Sequence, residues 1–571
     1  MNVYMYTRND EDELPALSWR SWVVLATFVV VTVFVICPVR FMIPLPKPSA
    51  VARCLYRRQR LNSQPNSWWF VQLAMDMKLV PWLGVLVLLA STTIRFGSEV
   101  VRGFVGGDGI EPYSILILVF ALAYICVSLD ESGLLSYIAV KVTGRWGRNG
   151  RVLLLCFYAL SAIMAVITNN DTVVLCLTPI ICVFADTTGA SAEPFLIAMF
   201  VAANTASMAL FIGNPTNIIV AEANDISFLS YSAWMGLPFL GAAAAGLVVV
   251  YIASRNKIAH DIPVDLGSHN RPRDIIRRKQ QAVLGAGILV SCLVALSVSS
   301  FFGVAVWIVT LPFGVAMLVV DAVADLSMTR NSTHPSVVVL PAPPVHTLGS
   351  AEAIQMQPCG SADSVPTTIV AASTPEDHTG VGEPFEDRFT RAIQRTNHRC
   401  RSVMELRVPT IYAVFQRLPY GIIPFALGMF IIVESLSSQG WTPRLAWALV
   451  RICTTTASAV FVVGIITALS CNILNNLPMS ILFSRALQHP IFAQVDGNIR
   501  RGAMFALIIG SNVGANFTLV GSLAGLMFQR IASQKKRDIG YFRFLRWCAP
   551  VMAVQLAVAC AILLAELAII N

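Results

Sequence analysis

Most of this chain is organised as blocks of apolar residues, roughly 18 to 25 long, separated by short polar stretches. That is the length at which a helix spans the hydrocarbon of a bilayer. Blocks at 22–37, 68–94, 112–129, 194–220, 233–253, 281–300, 303–320, 411–433, 501–529 and 548–570 predict about ten spanning helices. Two further stretches, 152–184 and 455–486, carry polar clusters in their middles. Each predicts a re-entrant hairpin that enters and leaves on one side. Residues 321–407 break the pattern. Pro341, Pro343 and Pro344, many Ser and Thr, and few bulky apolar residues after Leu348 predict a disordered cytoplasmic linker. It divides a first membrane half, 20–320, from a second, 408–571. The expected fold class is an all-α polytopic membrane protein.

Orientation follows from Lys and Arg, which gather in cytoplasmic loops. Arg40, Lys47, Arg53, Arg57, Arg58 and Arg60 put the loop after the first span inside, so residues 1–19 form an extracytoplasmic tail. The acids Asp10 to Glu13 precede the first block where a signal peptide would carry bases, so that block reads as a retained helix. Lys141 to Arg151, Arg271 to Lys279 and Arg530 to Arg546 mark further inside loops. Arg485, Arg500 and Arg501 fall on the outside and fit this alternation less well.

The halves resemble each other. "ILILVFALAYICVSLDESG" from Ile115 is similar to "GIIPFALGMFIIVESLSSQG" from Gly421. "AVITNNDTVVLCLTPI" from Ala165 lines up with "CNILNNLPMSILFSRA" from Cys471, and "AANTASMALFIGNPTNIIV" from Ala202 with "GSNVGANFTLVGSLAGLMF" from Gly510. The loops that follow the matched segments carry opposite charge character, so the repeats run in opposite senses. Inverted repeats place a substrate site at the midplane where the halves meet.

Composition narrows the classes. The chain has 571 residues, 56% hydrophobic and 13% charged, which is too little charge to cover a soluble surface. The formal charge of +9 sits in loops between apolar blocks, so it argues for membrane orientation and against nucleic acid. Thirteen cysteines, most of them single within apolar blocks, include no CxxC, so no zinc site, redox pair or other cofactor is indicated.

Four polar clusters interrupt the apolar helices. The first is Thr168, Asn169, Asn170, Asp171 and Thr172. The second runs from Asn204 through Gly213, Asn214, Pro215, Thr216 and Asn217. The third is Asn475 and Asn476, and the fourth is Ser511, Asn512, Asn516, Thr518, Gly521 and Ser522. A lone Asn in a span is often helix-to-helix glue. Four clusters matched across a repeat read as a substrate site, because broken helices must line a cavity or be buried. Asp171 is the one acid at a hairpin tip; its repeat partner is Leu477. A carboxylate there is costly and so reads as functional: a proton carrier, a sodium ligand or a cap for the next half-helix. "LDESG" and "GRWGRNGR" read as an amphipathic cytoplasmic segment, and Trp146 and Trp547 as interface anchors. The sequon at Asn331 lies on the wrong side for glycosylation.

At these motifs the chain resembles the ArsB-type arsenite efflux pumps, within the wider ion transporter superfamily of citrate-transporter-like, NhaD-type and P-protein-like carriers. The strings are "LDESG", "TNNDTVVLCLTPI", "NTAS", "GNPTNIIV", "LPYGIIPFALGMF", "NILNNLP", "GSNVGANFTLVGSLAGLMF" and "SQKKRDIGYFRF". Two features depart from the bacterial pumps: "GNPTN" itself, and Asn204 where those pumps carry an acid. The resemblance implies an elevator-type transporter in which 152–253 and 455–570 form the moving domain. It implies proton-coupled efflux of arsenite, antimonite or a similar small metalloid acid. The alternative is a sodium-coupled anion or dicarboxylate carrier, or a sodium/proton antiporter. A channel or an enzyme fits less well, since Asp171 suits coupling and no nucleophile-base pair appears. GxxxxGK[ST] is absent, so ATP drive would come from a separate ATPase subunit. The remaining expected partners are the lipid bilayer, a small-molecule or ion substrate and, as an open alternative, a second copy in a homodimer. The expected location is the plasma membrane or an organelle membrane, with the linker facing the cytosol.

Overall fold

Inside a bilayer, backbone N–H and C=O groups must find partners within the protein, and a helix pairs them within its own segment. The computed structural model follows that rule. It describes residues 14–36, 39–46, 68–106, 111–146, 149–259, 279–299, 301–302, 304–331 and 407–570. The first half holds α1 (Trp19–Ile36), α2 (Val80–Ala90), α3 (Val101–Val105), α4 (Pro112–Glu131), α5 (Leu134–Trp146), α6 (Gly150–Ile167) and α7 (Asn170–Thr188). It continues with α8 (Ala192–Ala206), α9 (Pro215–Ala223), α10 (Phe228–Ser254), α11 (Lys279–Ser299) and α12 (Val306–Asn331). The second half holds α13 (Pro409–Arg417), α14 (Ile422–Ser438), α15 (Trp441–Ile452), α16 (Thr456–Leu474) and α17 (Asn476–Gln488). The single turn α18 (Pro490–Ala493), α19 (Gly497–Val513), α20 (Leu523–Gln534) and α21 (Tyr541–Ile569) complete it. Among the described residues, nine helical segments are long and apolar enough to cross a membrane.

The chain is nearly all helical, as expected, but one expected span is not a single helix. Residues 68–94 do not form one helix. The strand β2 (Trp68–Met75) pairs antiparallel with β1 (Val39–Pro46), Val39 opposite Met75, and α2 begins only at Val80. Aromatic and β-branched residues favour strands, and Pro44 and Pro46 exclude a helix interior from β1. Two further blocks split. Residues 194–220 become α8, a 3-10 turn at Phe211–Gly213 and α9; residues 501–529 become α19, a 3-10 turn at Gly514–Asn516 and α20. The "LPYG" segment likewise separates α13 from α14.

The order of elements in α4–α10 recurs in α14–α21. Each series has a long helix, a short one, two helices meeting at a tip and a helix broken by a 3-10 turn. Each ends in a long helix, of 27 residues in the first half and 29 in the second. Local chemistry sets the boundaries. Asn149 accepts from the Arg151 and Val152 N–H groups to start α6, and Thr455 with Ser458 forms a reciprocal capping box on α16. Gly189, in the left-handed conformation, ends α7. Behind the first tip, Phe157, Phe184 and Phe195 meet edge to face with ring centroids 5.8–6.4 Å apart.

The helix α12 runs through Asn331, past Val320 where the span is expected to end, so the first residues assigned to the linker are helical. Asp325 then caps α13: its Oδ2 accepts from the Thr410 and Ile411 N–H groups at 2.8 and 3.2 Å. Its Oδ1 accepts from Thr410 Oγ1 at 2.7 Å. Residues 332–406, nearly all of the expected linker, and the basic loop 47–67 lie outside the described residues.

In lipid, helices associate chiefly by close packing, and small residues let backbones approach. The α16–α19 contact is built this way. A Cβ on Gly514 would sit 2.5 Å from Ala468 Cα and 2.6 Å from its carbonyl oxygen. Gly514→Ala should therefore push two backbones apart at a cost of about 1–3 kcal/mol. Gly497→Ala, with nothing within 4 Å of the added methyl, should be neutral. Thermal midpoints of the two variants, followed by size-exclusion chromatography, check this; equal midpoints would contradict the close-packed seam.

Candidate functional site

Four half-helices start close to one another, and each start is capped by a side chain the sequence marks out. At the first tip Thr168 Oγ1 donates to the Met164 carbonyl and closes α6. Asn169 Oδ1 accepts from the Thr172 N–H at 2.7 Å and opens α7. At the second tip Asn475 accepts from Leu477 and opens α17, while its Nδ2 donates to the Val520 carbonyl at 3.1 Å. Asn475 holds a φ of 67°, a conformation that favours glycine and costs about 1–3 kcal/mol elsewhere. Its two side-chain bonds, and the Asn476 N–H donated to the Gly521 carbonyl at 3.0 Å, hold it there. Asn214 caps α9, with Pro215 in the first turn, and Ser522 caps α20. The turn before α9 needs a glycine at 213, because a Cβ there would lie 2.2 Å from the Ser207 carbonyl oxygen. Asn169 and Asn475 thus hold matching places in the two halves, as do Asn214 and Ser522.

These N-termini enclose a small cavity. The first half lines it with Asn170, Asp171, Asn214, Pro215 and Thr216, and the second with Asn475, Asn476, Leu477, Ser522 and Leu523. Ile422 and Phe425 of α14 form the apolar wall. The free space is about 20 Å³, room for a water molecule or a solute of a few atoms. Helix N-termini present partial positive charge and unpaired N–H groups, so the polar walls suit oxygen atoms. Asp171 lies in the first turn of α7 and lines this cavity. Among the described residues its carboxylate accepts no hydrogen bond. Capping, one of the three roles open to it, falls to Asn169 instead.

The remaining expected residues are absent from the cavity lining and tie its elements together, both across the halves and within them. Asn512 is the hub. Its Oδ1 accepts from Ser207 Oγ at 2.9 Å and Asn214 Nδ2 at 3.0 Å, and its Nδ2 donates to Asn217 Oδ1 at 2.7 Å. Asn217 in turn donates to the Ser207 carbonyl at 2.7 Å, and the Thr216 and Ser511 hydroxyls lie 3.4 Å apart. Asn204 Oδ1 accepts from Asn170 Nδ2 at 3.0 Å and so orients the first tip. Thr518 donates to Asn472 Oδ1 at 2.6 Å, and Asn516 donates to Thr205 and to Gln555 Oε1. Among the described residues, no group of three or more His, Cys, Asp and Glu could hold a metal ion.

Several functional side chains escape a motif search. Gln555, fully buried in α21, donates to Thr205 Oγ1 at 2.8 Å and ties the last helix to the network; its one signal is an amide inside an apolar block. Asn472 sits a turn before the second tip. Arg485, expected in an external loop, is buried on the last turns of α17, its Nη2 3.1 Å from Glu434 Oε2 on α14. "LDESG" also does more than join two segments. Asp130 is 8% exposed, and Arg417 bridges it and Glu131 at 2.5 and 2.6 Å.

Two outcomes follow for stability. Asn512→Ala leaves buried partners on three residues, at about 1–3 kcal/mol for each left unpaired, so its thermal midpoint should fall well below that of Asn476→Ala. Arg485→Leu strands a buried carboxylate and should cost about 3–5 kcal/mol, whereas adding Glu434→Leu should restore much of the loss. Denaturation of the three ion-pair genotypes in one detergent reads this directly; a double variant as weak as the single would show that the pair does not act as a unit.

The citrate transporter family model matches residues 68–342, and the arsenical pump membrane protein model matches residues 405–564. An arsenical pump membrane protein of Escherichia coli is 25% identical over 83% of this chain and 91% of its own length. An uncharacterised transporter of Synechocystis is 23% identical over 85% of this chain and 91% of its own. Among solved structures, the Alcanivorax borkumensis YdaH transporter aligns with a TM-score of 0.44 and 13% identity, covering 96% of this chain and 97% of that one. With both halves matched and the relatives spanned nearly end to end, the chain belongs to the superfamily that joins the arsenical pump membrane proteins and the citrate transporter-like carriers.

Proposed function

We propose that this transporter carries out proton-coupled efflux of arsenite, antimonite or a similar small metalloid acid, with Asp171 as the coupling group. The observation that carries the reading is the cavity itself. It is lined by neutral amides, hydroxyls and four helix N-termini, holds about 20 Å³, and has Asp171 as its one ionisable wall. Neutral donors and acceptors suit an uncharged polyhydroxy solute, which needs hydrogen bonds in place of its hydration and brings no charge to balance. A carboxylate beside such a solute can take a proton on one side of the membrane and release it on the other. In this reading the two halves are inverted repeats, and the tips and broken helices move together past a fixed scaffold that includes α4 and α14. The names of the relatives support arsenite as the first solute to try.

A second reading rests on the same helix N-termini. Four partial positive charges also favour an anion, and the first half matches the citrate transporter model. A sodium-coupled carboxylate carrier would use them so.

Flux into vesicles reconstituted with the full chain separates the readings. The expected result is arsenite accumulation driven by an imposed pH gradient and indifferent to sodium. Asp171→Asn should still bind and exchange arsenite, while gradient-driven accumulation falls to the level of empty vesicles; Asp171→Glu should keep part of it. Full accumulation by Asp171→Asn would remove Asp171 from the mechanism. Sodium-driven citrate uptake without arsenite flux would favour the second reading.

A further inference from the structure

The turn between α20 and α21 carries more positive charge than the fold consumes. Residues 530–546 include Arg530, Lys535, Lys536, Arg537, Arg543 and Arg546, against one acid, Asp538. Two of the bases are spent inside the protein. Arg537 donates through Nε and Nη2 to Asp186 at 3.0 and 2.6 Å, and Arg543 donates to Glu193, which also accepts from Trp547 Nε1. These bonds fasten the turn to α7 and α8. The other four, Arg530, Lys535, Lys536 and Arg546, are exposed and have no ionic partner among the described residues.

Their position relative to the bilayer follows from α21. Its 29 residues measure about 43 Å, against about 30 Å of hydrocarbon, so one end emerges. The emerging end is the basic one, since the other ends in Leu567, Ala568 and Ile569. There Phe542 is 82% exposed beside the half-exposed Tyr541, and Trp547 lies under Lys257, whose Nζ is 3.7 Å from the ring centre. A bare phenyl ring between free bases, at the level where indole and phenol rings settle, is built for the headgroup region of a membrane.

We propose that this turn is a docking surface for anionic phospholipid headgroups. Lys535, Lys536, Arg530 and Arg546 face the lipid phosphates, and Phe542 anchors the turn at the hydrocarbon boundary. Charge complementarity selects the occupant. The four unspent bases outnumber the one exposed acid, Asp538, and the turn presents them on a frame already fixed by Asp186 and Glu193. Because α20 starts at Ser522 in the cavity and ends in this turn, bound lipid would steady one wall of the site.

The test compares phosphatidylglycerol with phosphatidylcholine on the purified full chain. Native mass spectrometry reports the lipid retained, and thermal unfolding reports the stabilisation. Each base near an anionic surface contributes about fivefold in affinity, so Lys535→Gln with Lys536→Gln should weaken phosphatidylglycerol retention about 25-fold. Its midpoint in phosphatidylcholine should not move, and retention by the unaltered chain should fall as salt rises. Arg537→Gln, which breaks a bond the fold uses, should lower the midpoint in both lipids and leave the preference intact. An unchanged preference in the double variant would overturn the proposal. So would stabilisation by inorganic phosphate equal to that by phosphatidylglycerol, because the surface would then be a free-anion site.

Discussion

The constraint on which this structure depends is that a helix broken inside a membrane leaves backbone groups with no water to pair them. Four helix starts lie in the interior, and each is repaired twice. A side chain caps the new helix locally: Asn169, Asn214, Asn475 or Ser522. The tip or turn then bonds across to another element, as Asn170 does to Asn204, Asn214 to Asn512 and Asn475 to Val520. The repair holds only where other elements pack against the break, so the breaks gather together. The cavity between them is what remains where those starts meet.

Asparagine serves this arrangement because one side chain carries both donors and acceptors and no charge. Asn512 uses its oxygen and its nitrogen at once to hold three residues of the other half. A carboxylate or ammonium in its place would need a counter-ion and would shed half the bonds. Full charges elsewhere in the interior find partners of opposite sign, Asp130 and Glu131 in Arg417 and Glu434 in Arg485. Asp171 departs from this economy. It faces the cavity from the first turn of a helix, where the dipole tolerates a negative charge but no side chain among the described residues bonds to it. That contrast with the satisfied amides around it makes Asp171 the coupling candidate.

The spans α4, α10, α11 and α12, the two tips and the polar clusters that break two further helices are legible in the chain itself, since block length and matched Asn clusters are local signals. The caps are not: the sequence offers Asp171 as a cap for the next half-helix, and Asn169 takes that place. The β1–β2 ribbon is not, because Trp68–Met75 is apolar enough to pass for the start of a span and only pairing with a remote segment makes it a strand. Arg485 misleads for a related reason. Counted as a loop charge it belongs to water, yet it is buried because Glu434, distant in sequence, reaches it.

By itself, then, the sequence determined that the chain is a nearly all-helical membrane protein, and which residues interrupt its helices. Those properties depend on the length and composition of contiguous segments. Only the tertiary structure decided which interruptions face the cavity and which tie its elements together. Asn170, Asn214 and Asn476 line the cavity, while Asn204, Asn217 and Asn512, alike in chemistry and in setting along the chain, are absent from its lining. An amide's role in a dry interior is set by the partner it meets, and those partners lie on other elements, across the halves for Asn512 and within one half for Asn204.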